Sequence, residues 1–288
     1  MSHRDRDAPV IADLHTHSDA SDGALEPADL VAMAVSRGLA ALAITDHDTL
    51  QGHARAVMKP RPAGCRLVVG VEISSEDDGH APHILGYFTA FPPGLEADLR
   101  ELQASRAARI PKIVKRLNSL GIPLTEADIL AYAGDGQPGR PHVARALKER
   151  GHVADMGDAF ERYLGRGKPA YVPRCKLTPH DAVALIRDHG GMSSLAHPVT
   201  LNLEGHALYD YVSSLLKQGL EGVEAFHRLH DQAASRRFSD LAGSMGLVVT
   251  GGSDYHGLEP GECPMGGAGL TDELFEVFLD RLEGRRGG

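Results

Sequence analysis

Two histidines two residues apart close the run Asp13-Leu14-His15-Thr16-His17, and a carboxylate, Asp22, follows within Ser21-Asp22-Gly23. In an extended segment residues i and i+2 point to the same side, so the His15 and His17 imidazoles can converge on one cation. Neutral imidazole is a common ligand for zinc, manganese and iron, and Asp22 adds a hard oxygen donor. A lone His-x-His is a weak signal. Here it has company. His47 lies in Thr45-Asp46-His47-Asp48, Glu72 ends Gly70-Val71-Glu72, His83 opens His83-Ile84-Leu85-Gly86-Tyr87, and His197 precedes Pro198. Asp254 and His256 lie in Gly252-Ser253-Asp254-Tyr255-His256-Gly257, whose glycine and serine let the backbone turn sharply towards a site.

Placing such residues together requires elements that end at one mouth. Short apolar runs at residues 10–14, 39–44, 66–71, 191–196, 219–226 and 246–250 read as strands, and most deliver one of these side chains at or just beyond their C-terminal ends. Helical spacing predicts helices over 27–36, 179–189, 206–218, 232–245 and 272–282. The first carries Pro27 in its opening turn, apolar Leu30, Val31, Ala34 and Val35, and Gly38 as its stop. Alternating strands and helices imply a parallel sheet, and polar residues repeated at strand ends are the layout of a (β/α) barrel. Residues 82–88 carry His83 at their start instead, and read as a hairpin or edge strand rather than a barrel stave.

Between residues 94 and 164 the strands disappear. A long helix is expected over 94–119, ended by Gly121 and Pro123, then shorter ones over 126–132, 142–150 and 155–164, with a turn-rich loop at 134–141 leading into Arg140-Pro141-His142. This block is also where the charge changes sign. Residues 99–176 hold 15 Lys and Arg against 8 Asp and Glu, a net of +7; the remainder holds 15 against 31, a net of −16. The expected organisation is therefore a barrel in two parts, 1–98 and 177–288, interrupted by a basic helical insertion, 99–176, suited to holding an anion near a cationic centre.

The 288 residues are 42% hydrophobic and 24% charged, ordinary for a globular chain, and no apolar run approaches the ~18 residues of a membrane helix. A net charge of −9 argues against a nucleic-acid-coating surface. Cys65, Cys175 and Cys263 form no CxxC pair, and residues 1–9 are charged without the apolar core of a signal peptide. The expectation is a cytoplasmic protein with free thiols.

In order and spacing these motifs resemble the PHP (polymerase and histidinol phosphatase) family of metal-dependent phosphoesterases. The resemblance covers nearly the whole chain. It implies a distorted (β/α)7 barrel, α/β in class, binding three divalent metals, Mn²⁺ foremost, with Fe²⁺ or Zn²⁺ compatible. One metal would take His15, His17, Glu72 and Asp254; a second would share Glu72 and take His83 and His197; the third would take Asp22, His47 and His256. The helical insertion and Arg140-Pro141-His142 further resemble the bacterial branch that removes the 3′-phosphate from nucleoside 3′,5′-bisphosphates and degrades short RNA from its 5′ end. That implies a nucleotide or short RNA as substrate, with no membrane and no obligate protein partner.

Arg140, whose planar fork binds phosphate bidentately, is the expected phosphate clamp. His142 and His227 are candidates for substrate contact or proton donation, with a purely structural role open for both. Asp46 and Asp48 flank His47 as candidate tautomer-fixing partners. Arg109, Lys112, Lys115 and Arg116 fall at helical spacing, as a wet face or a guide for a 5′-phosphate. His53, His80, His152, His180, His189, His206 and His230 are expected in solvent. Two other readings stand beside the leading one: a different small-molecule phosphatase such as histidinol phosphatase, and a non-catalytic, metal-stabilised module.

Overall fold

The computed structural model describes residues 8–60, 62–77, 79–134, 136–173, 177–258 and 261–284. Seven strands, β1 (Ala12–Thr16), β2 (Ala41–Ile44), β3 (Arg66–Ser74), β4 (His83–Phe88), β5 (Met192–Leu195), β6 (Gly222–His227) and β7 (Val248–Gly252), form one sheet in chain order. The sheet curls until its ends meet: Asp254 N donates to His15 O (2.8 Å) and His17 N to Tyr255 O (2.9 Å). A Cβ on Gly252 would stand 2.3 Å from the His15 Cβ, so only glycine lets β7 come this close to β1. The result is the expected distorted, nearly closed α/β barrel.

One strand departs from expectation. β4 is a stave at the centre of the sheet, antiparallel to both β3 and β5, rather than an edge. That orientation explains its odd polarity: an antiparallel strand begins at the mouth where its parallel neighbours end. His83 thus pairs with Ser74, two residues past Glu72.

Around the barrel run α1 (Pro27–Ser36), α2 (Gln51–Met58), α8 (Pro179–Asp188), α9 (Gly205–Gln218), α10 (Gln232–Met245) and α11 (Asp272–Glu283). Helix α2 lies outside the expected elements, and its His53 is buried rather than solvated. The intervening block holds α3 (Leu95–Ala107), α4 (Ile110–Ser119), α5 (Glu126–Ala133), α6 (Arg140–Glu149) and α7 (Met156–Ala159), the last running into a wider turn at Phe160–Leu164. The single long helix expected here is two. Pro111 lacks an N–H and its ring would strike the carbonyl of Ala107, where α3 ends. Leu95, Leu99 and Leu102 of α3 join the barrel's apolar core, whereas Ile113, Leu117, Ile129, Leu147 and Leu164 belong to a separate cluster that the later helices share.

Candidate metal centre

At the barrel mouth one carboxylate stands among five imidazoles. Glu72 Oε2 faces His47 Nδ1 (2.9 Å), His17 Nε2 (3.3 Å) and His15 Nε2 (3.6 Å), while Oε1 faces His83 Nδ1 (2.7 Å) and His197 Nε2 (3.1 Å). Asp254 closes one side, its Oδ1 lying 3.3 Å from His17 Nε2 and 3.5 Å from His15 Nε2. Asp22 closes the other. Its Oδ1 lies 3.5 Å from His256 Nε2 and 3.7 Å from His17 Nδ1, and its Oδ2 lies 3.6 Å from His47 Nε2.

All nine expected ligands therefore meet at the mouth, and among the described residues eight of them fall into four overlapping groups: His17, Asp22, His47 and His256; His15 and Asp254 with His227; His15, His17 and Glu72; and His47, Glu72 and His83. In each, the donor atoms lie within 4.8 Å of one another. His197 joins none of these groups but faces Glu72 Oε1. Among the described residues, His15 Nε2 and both ring nitrogens of His17 are buried without a hydrogen-bond partner. Unpaired buried nitrogens cost free energy unless something else satisfies them, and lone pairs aimed inward at ionised carboxylates suit divalent cations. The donor set fits such ions.

The backbone is bent to serve this arrangement. Asp48, His197 and Asp254 have positive φ values of 56°, 27° and 52°, a conformation that costs a non-glycine residue of order 1–3 kcal/mol. All three lie at strand ends around the mouth.

Electrostatics follow from burial in company. Burial alone would raise the Asp22 carboxyl, but the His47 imidazole and the Arg106 guanidinium hold it well below the usual range. Glu72 is likewise held low against its burial by His47, His83 and His15. Burial, with His256 and His47 nearby, pushes His17 down to about 3, and burial takes His83 down to about 4. Both imidazoles are neutral near pH 7, the state in which histidine offers a lone pair.

The structure adds residues that the spacing did not disclose. Glu224 is buried beneath the site, where His15 Nδ1 donates to its Oε1 (2.9 Å) and His197 N to its Oε2 (2.6 Å). It fixes the His15 tautomer with Nε2 turned to the centre. Its only sequence signal is a carboxylate inside an otherwise apolar strand. Arg106, on α3, donates from Nη2 to Asp22 Oδ2 (2.7 Å). Arg228 donates to Asp254 Oδ2 from Nε (3.0 Å). Asp13, which opens the first motif, turns away from the mouth and accepts from Ser253 N, Ser253 Oγ and Gly266 N, tying β1 to the segment after β7.

The remaining candidates separate. His227 is buried, takes a hydrogen bond from Leu229 N on Nδ1, and presents Nε2 to Asp254 Oδ2 at 3.4 Å. His142 Nδ1 accepts from Gly139 N (2.9 Å), and burial, opposed by Asp22, lowers it to about 4, which leaves a neutral ring with its proton on Nε2. Arg140 lies within the block, donating to Leu164 O and packing over the Phe160 and Tyr171 rings at 5.5 and 5.7 Å. Arg109 is buried against the same tyrosine, at 5.8 Å, and is not part of a wet face, whereas Lys112, Lys115 and Arg116 are exposed. Asp46 does not hold His47; its carboxylate accepts from Ser18 N, Ser18 Oγ and Ser21 Oγ, and burial raises it to about 6. Asp48 accepts from Ser74 N. Cys65 and Cys263 are free thiols, and Cys175 lies outside the described residues. No helix among the described residues is long and apolar enough to cross a membrane.

Known proteins share this architecture. The chain is 35% identical over 245 residues to a 5′-3′ exoribonuclease of Haemophilus influenzae, covering 85% of this chain and 89% of the relative. It is 33% identical over 266 residues to a 3′,5′-nucleoside bisphosphate phosphatase of Chromobacterium violaceum, covering 91% and 92%. A solved structure of an amidohydrolase from Chromobacterium violaceum, with bound sulfate and no metal, superposes with a TM-score of 0.86 at 31% identity, covering 96% of each chain. Residues 13–251 match the PHP domain, and with the barrel and its ring of histidines and carboxylates the chain belongs to that family.

Proposed function

We propose that this PHP-family hydrolase removes the 3′-phosphate from nucleoside 3′,5′-bisphosphates, yielding nucleoside 5′-monophosphates, and that it also trims short 5′-phosphorylated RNA from the 5′ end. The observation that carries the reading is Glu72 ringed by His15, His17, His47, His83 and His197, with Asp22 and Asp254 on either flank. Relatives named as a bisphosphate phosphatase and as an exoribonuclease support the substrate class.

His15, His17, Glu72 and Asp254 would hold one divalent cation, Glu72, His83 and His197 a second, and Asp22, His47 and His256 a third, with Mn²⁺ the preferred ion. Bound there, the cations supply Lewis-acid charge that activates water and neutralises phosphoryl oxygens. The chain's own residues do the rest. Glu224 orients His15, and His227 and Arg228 orient Asp254, so the donors are in place before substrate arrives. His142, neutral with its proton on Nε2, donates a hydrogen bond to a phosphoryl oxygen. His227 is the other candidate proton source. Arg140, with Arg109 beside it on Tyr171, forms the cationic wall that takes the 5′-phosphate. Residues 99–176 act as the lobe that brings this wall to the barrel, in a cytoplasmic setting.

The test is phosphate release from adenosine 3′,5′-bisphosphate with Mn²⁺ present, run beside adenosine 5′-monophosphate and histidinol phosphate. Turnover of the bisphosphate alone is expected, followed by faster degradation of 5′-phosphorylated than 5′-hydroxyl RNA. Preference for histidinol phosphate would replace the substrate assignment. Cation removal that unfolds a chain with no turnover of any substrate would favour the non-catalytic module.

A further inference from the structure

We infer that Arg106 governs how tightly the Asp22 cluster holds its cation, making it the most readily exchanged of the three. The inference rests on the metal-centre reading above and concerns a residue supplied by the helical block. Arg106 is buried, 6% exposed, with Nη2 2.7 Å from Asp22 Oδ2 and Nη1 3.8 Å from Asp48 Oδ2. Its helix is held in place from both sides. Leu95, Leu99 and Leu102 sit in the barrel core, and Gln103 Nε2 donates to Asp48 O (3.0 Å). Glu96 accepts from Leu50 N (2.7 Å) and Thr49 Oγ1 (3.0 Å), gripping the loop that follows His47. Gly139 walls the guanidinium from the opposite side, where a Cβ would stand 2.8 Å from Nε and 2.9 Å from Nη2.

The chemistry of this arrangement is competition. A guanidinium stays protonated at any accessible pH, and here it occupies one oxygen of Asp22 in a site shielded from solvent. A cation held by His17, Asp22, His47 and His256 therefore meets a fixed positive charge and a carboxylate with one oxygen already engaged. Among the described residues, Glu72 faces imidazoles and no guanidinium. Arg228 on Asp254 is about a third exposed, so water screens it. Among the described residues, Asp22 alone of the three carboxylates carries a buried competitor. An arriving phosphate offsets that charge, so cation and substrate bind there with mutual support.

Equilibrium dialysis of the full Mn²⁺-loaded chain against falling free Mn²⁺, with bound manganese counted by emission spectroscopy, reads the affinity directly. Changes in outer-shell partners move metal affinity about 10–100-fold, and here the direction is towards tighter binding. Arg106→Gln should keep its weakest ion to about tenfold lower free Mn²⁺ than the wild type. Arg106→Lys, which restores the charge, should return towards the wild-type curve. Gly139→Ala leaves the charge but pushes the guanidinium off Asp22, in a backbone conformation alanine adopts freely (φ −144°), and should shift the curve the same way by less. Loss of the weakest ion from Arg106→Gln at the same or higher free Mn²⁺, with an unchanged melting curve, overturns the inference. If Arg106→Gln does not fold, Gly139→Ala decides by the same criterion. A wild-type chain that retains no manganese overturns the metal reading itself, and this inference with it.

Discussion

The barrel mouth and the helical block differ in what they bury. At the mouth His15, His17, Asp22, Glu72 and Glu224 are sealed from solvent, and each faces an imidazole or a charged partner. In the block, Ile113, Leu117, Ile129 and Leu147 make an ordinary apolar core, and Lys112, Lys115 and Arg116 are exposed. The two are joined by the packing of Leu99 and Leu102 into the barrel core and by polar contacts that include Arg106 to Asp22, Gln103 to Asp48 O, and Gln137 N to Ala20 O. Buried charge at the mouth is stabilised by partners and costs free energy when a partner is lost, so it marks function more than stability. Buried hydrocarbon in the block contributes about 1.5–3 kcal/mol for each large side chain and marks stability.

That contrast can be broken by substitution. The largest effect is expected from Asp254→Ala, which removes a carboxylate facing both His15 and His17. Turnover of adenosine 3′,5′-bisphosphate should fall by about 10³-fold or more, the scale on which transition-state charge stabilisers act. Residual activity near wild type would remove Asp254 from the centre. Next comes Leu147→Ala, which opens a cavity at a fully buried position of the block. It should cost about 2–5 kcal/mol in urea unfolding while leaving bound manganese unchanged; a parallel loss of manganese would mean that the two regions fold as one. Glu224→Gln keeps the shape but removes the charge that orients His15. Manganese affinity should drop about 10–100-fold, measured by dialysis, with little change in the substrate KM at saturating metal. The smallest effect belongs to Arg140→Ala. It should lower kcat/KM for the bisphosphate about tenfold, the worth of a charged hydrogen bond, and leave cation binding as it was. Equal rates on 5′-phosphorylated and 5′-hydroxyl substrates in the wild type would assign Arg140 to packing against Phe160 and Tyr171 alone.

Much of the centre was legible before any fold because its residues sit beside short apolar runs. His15 and His17 share a side through the two-residue period of a strand, His47 and Asp254 follow strand ends, and Glu72 lies in the last residues of β3. The error at β4 came from the same rule. A hairpin with β3 fits the sequence, but β4 also pairs with β5 as a stave, and an antiparallel stave reverses which end carries the polar residue. The break between α3 and α4 was readable from Pro111, whose missing N–H and bulky ring outweigh the apolar spacing of the segment. Asp46 misled for a different reason. Adjacency to His47 says nothing about direction, and neighbouring strand-end residues point to opposite sides, one inward and one to Ser18 and Ser21.

By itself the sequence pointed to the barrel class and the basic helical block, through periodicity and charge within short windows, and its motifs named the nine side chains of the mouth through their resemblance to the PHP family. Only the tertiary structure decided the supporting contacts. Arg106 reaches Asp22 across 84 residues and Glu224 reaches His15 across 209, distances at which no local pattern links the partners. Such pairs exist only once the sheet has closed and α3 has packed on it. The physical reason is that local windows record which face a residue prefers, whereas burial and the direction of each hydrogen bond are set by elements that arrive from elsewhere in the chain.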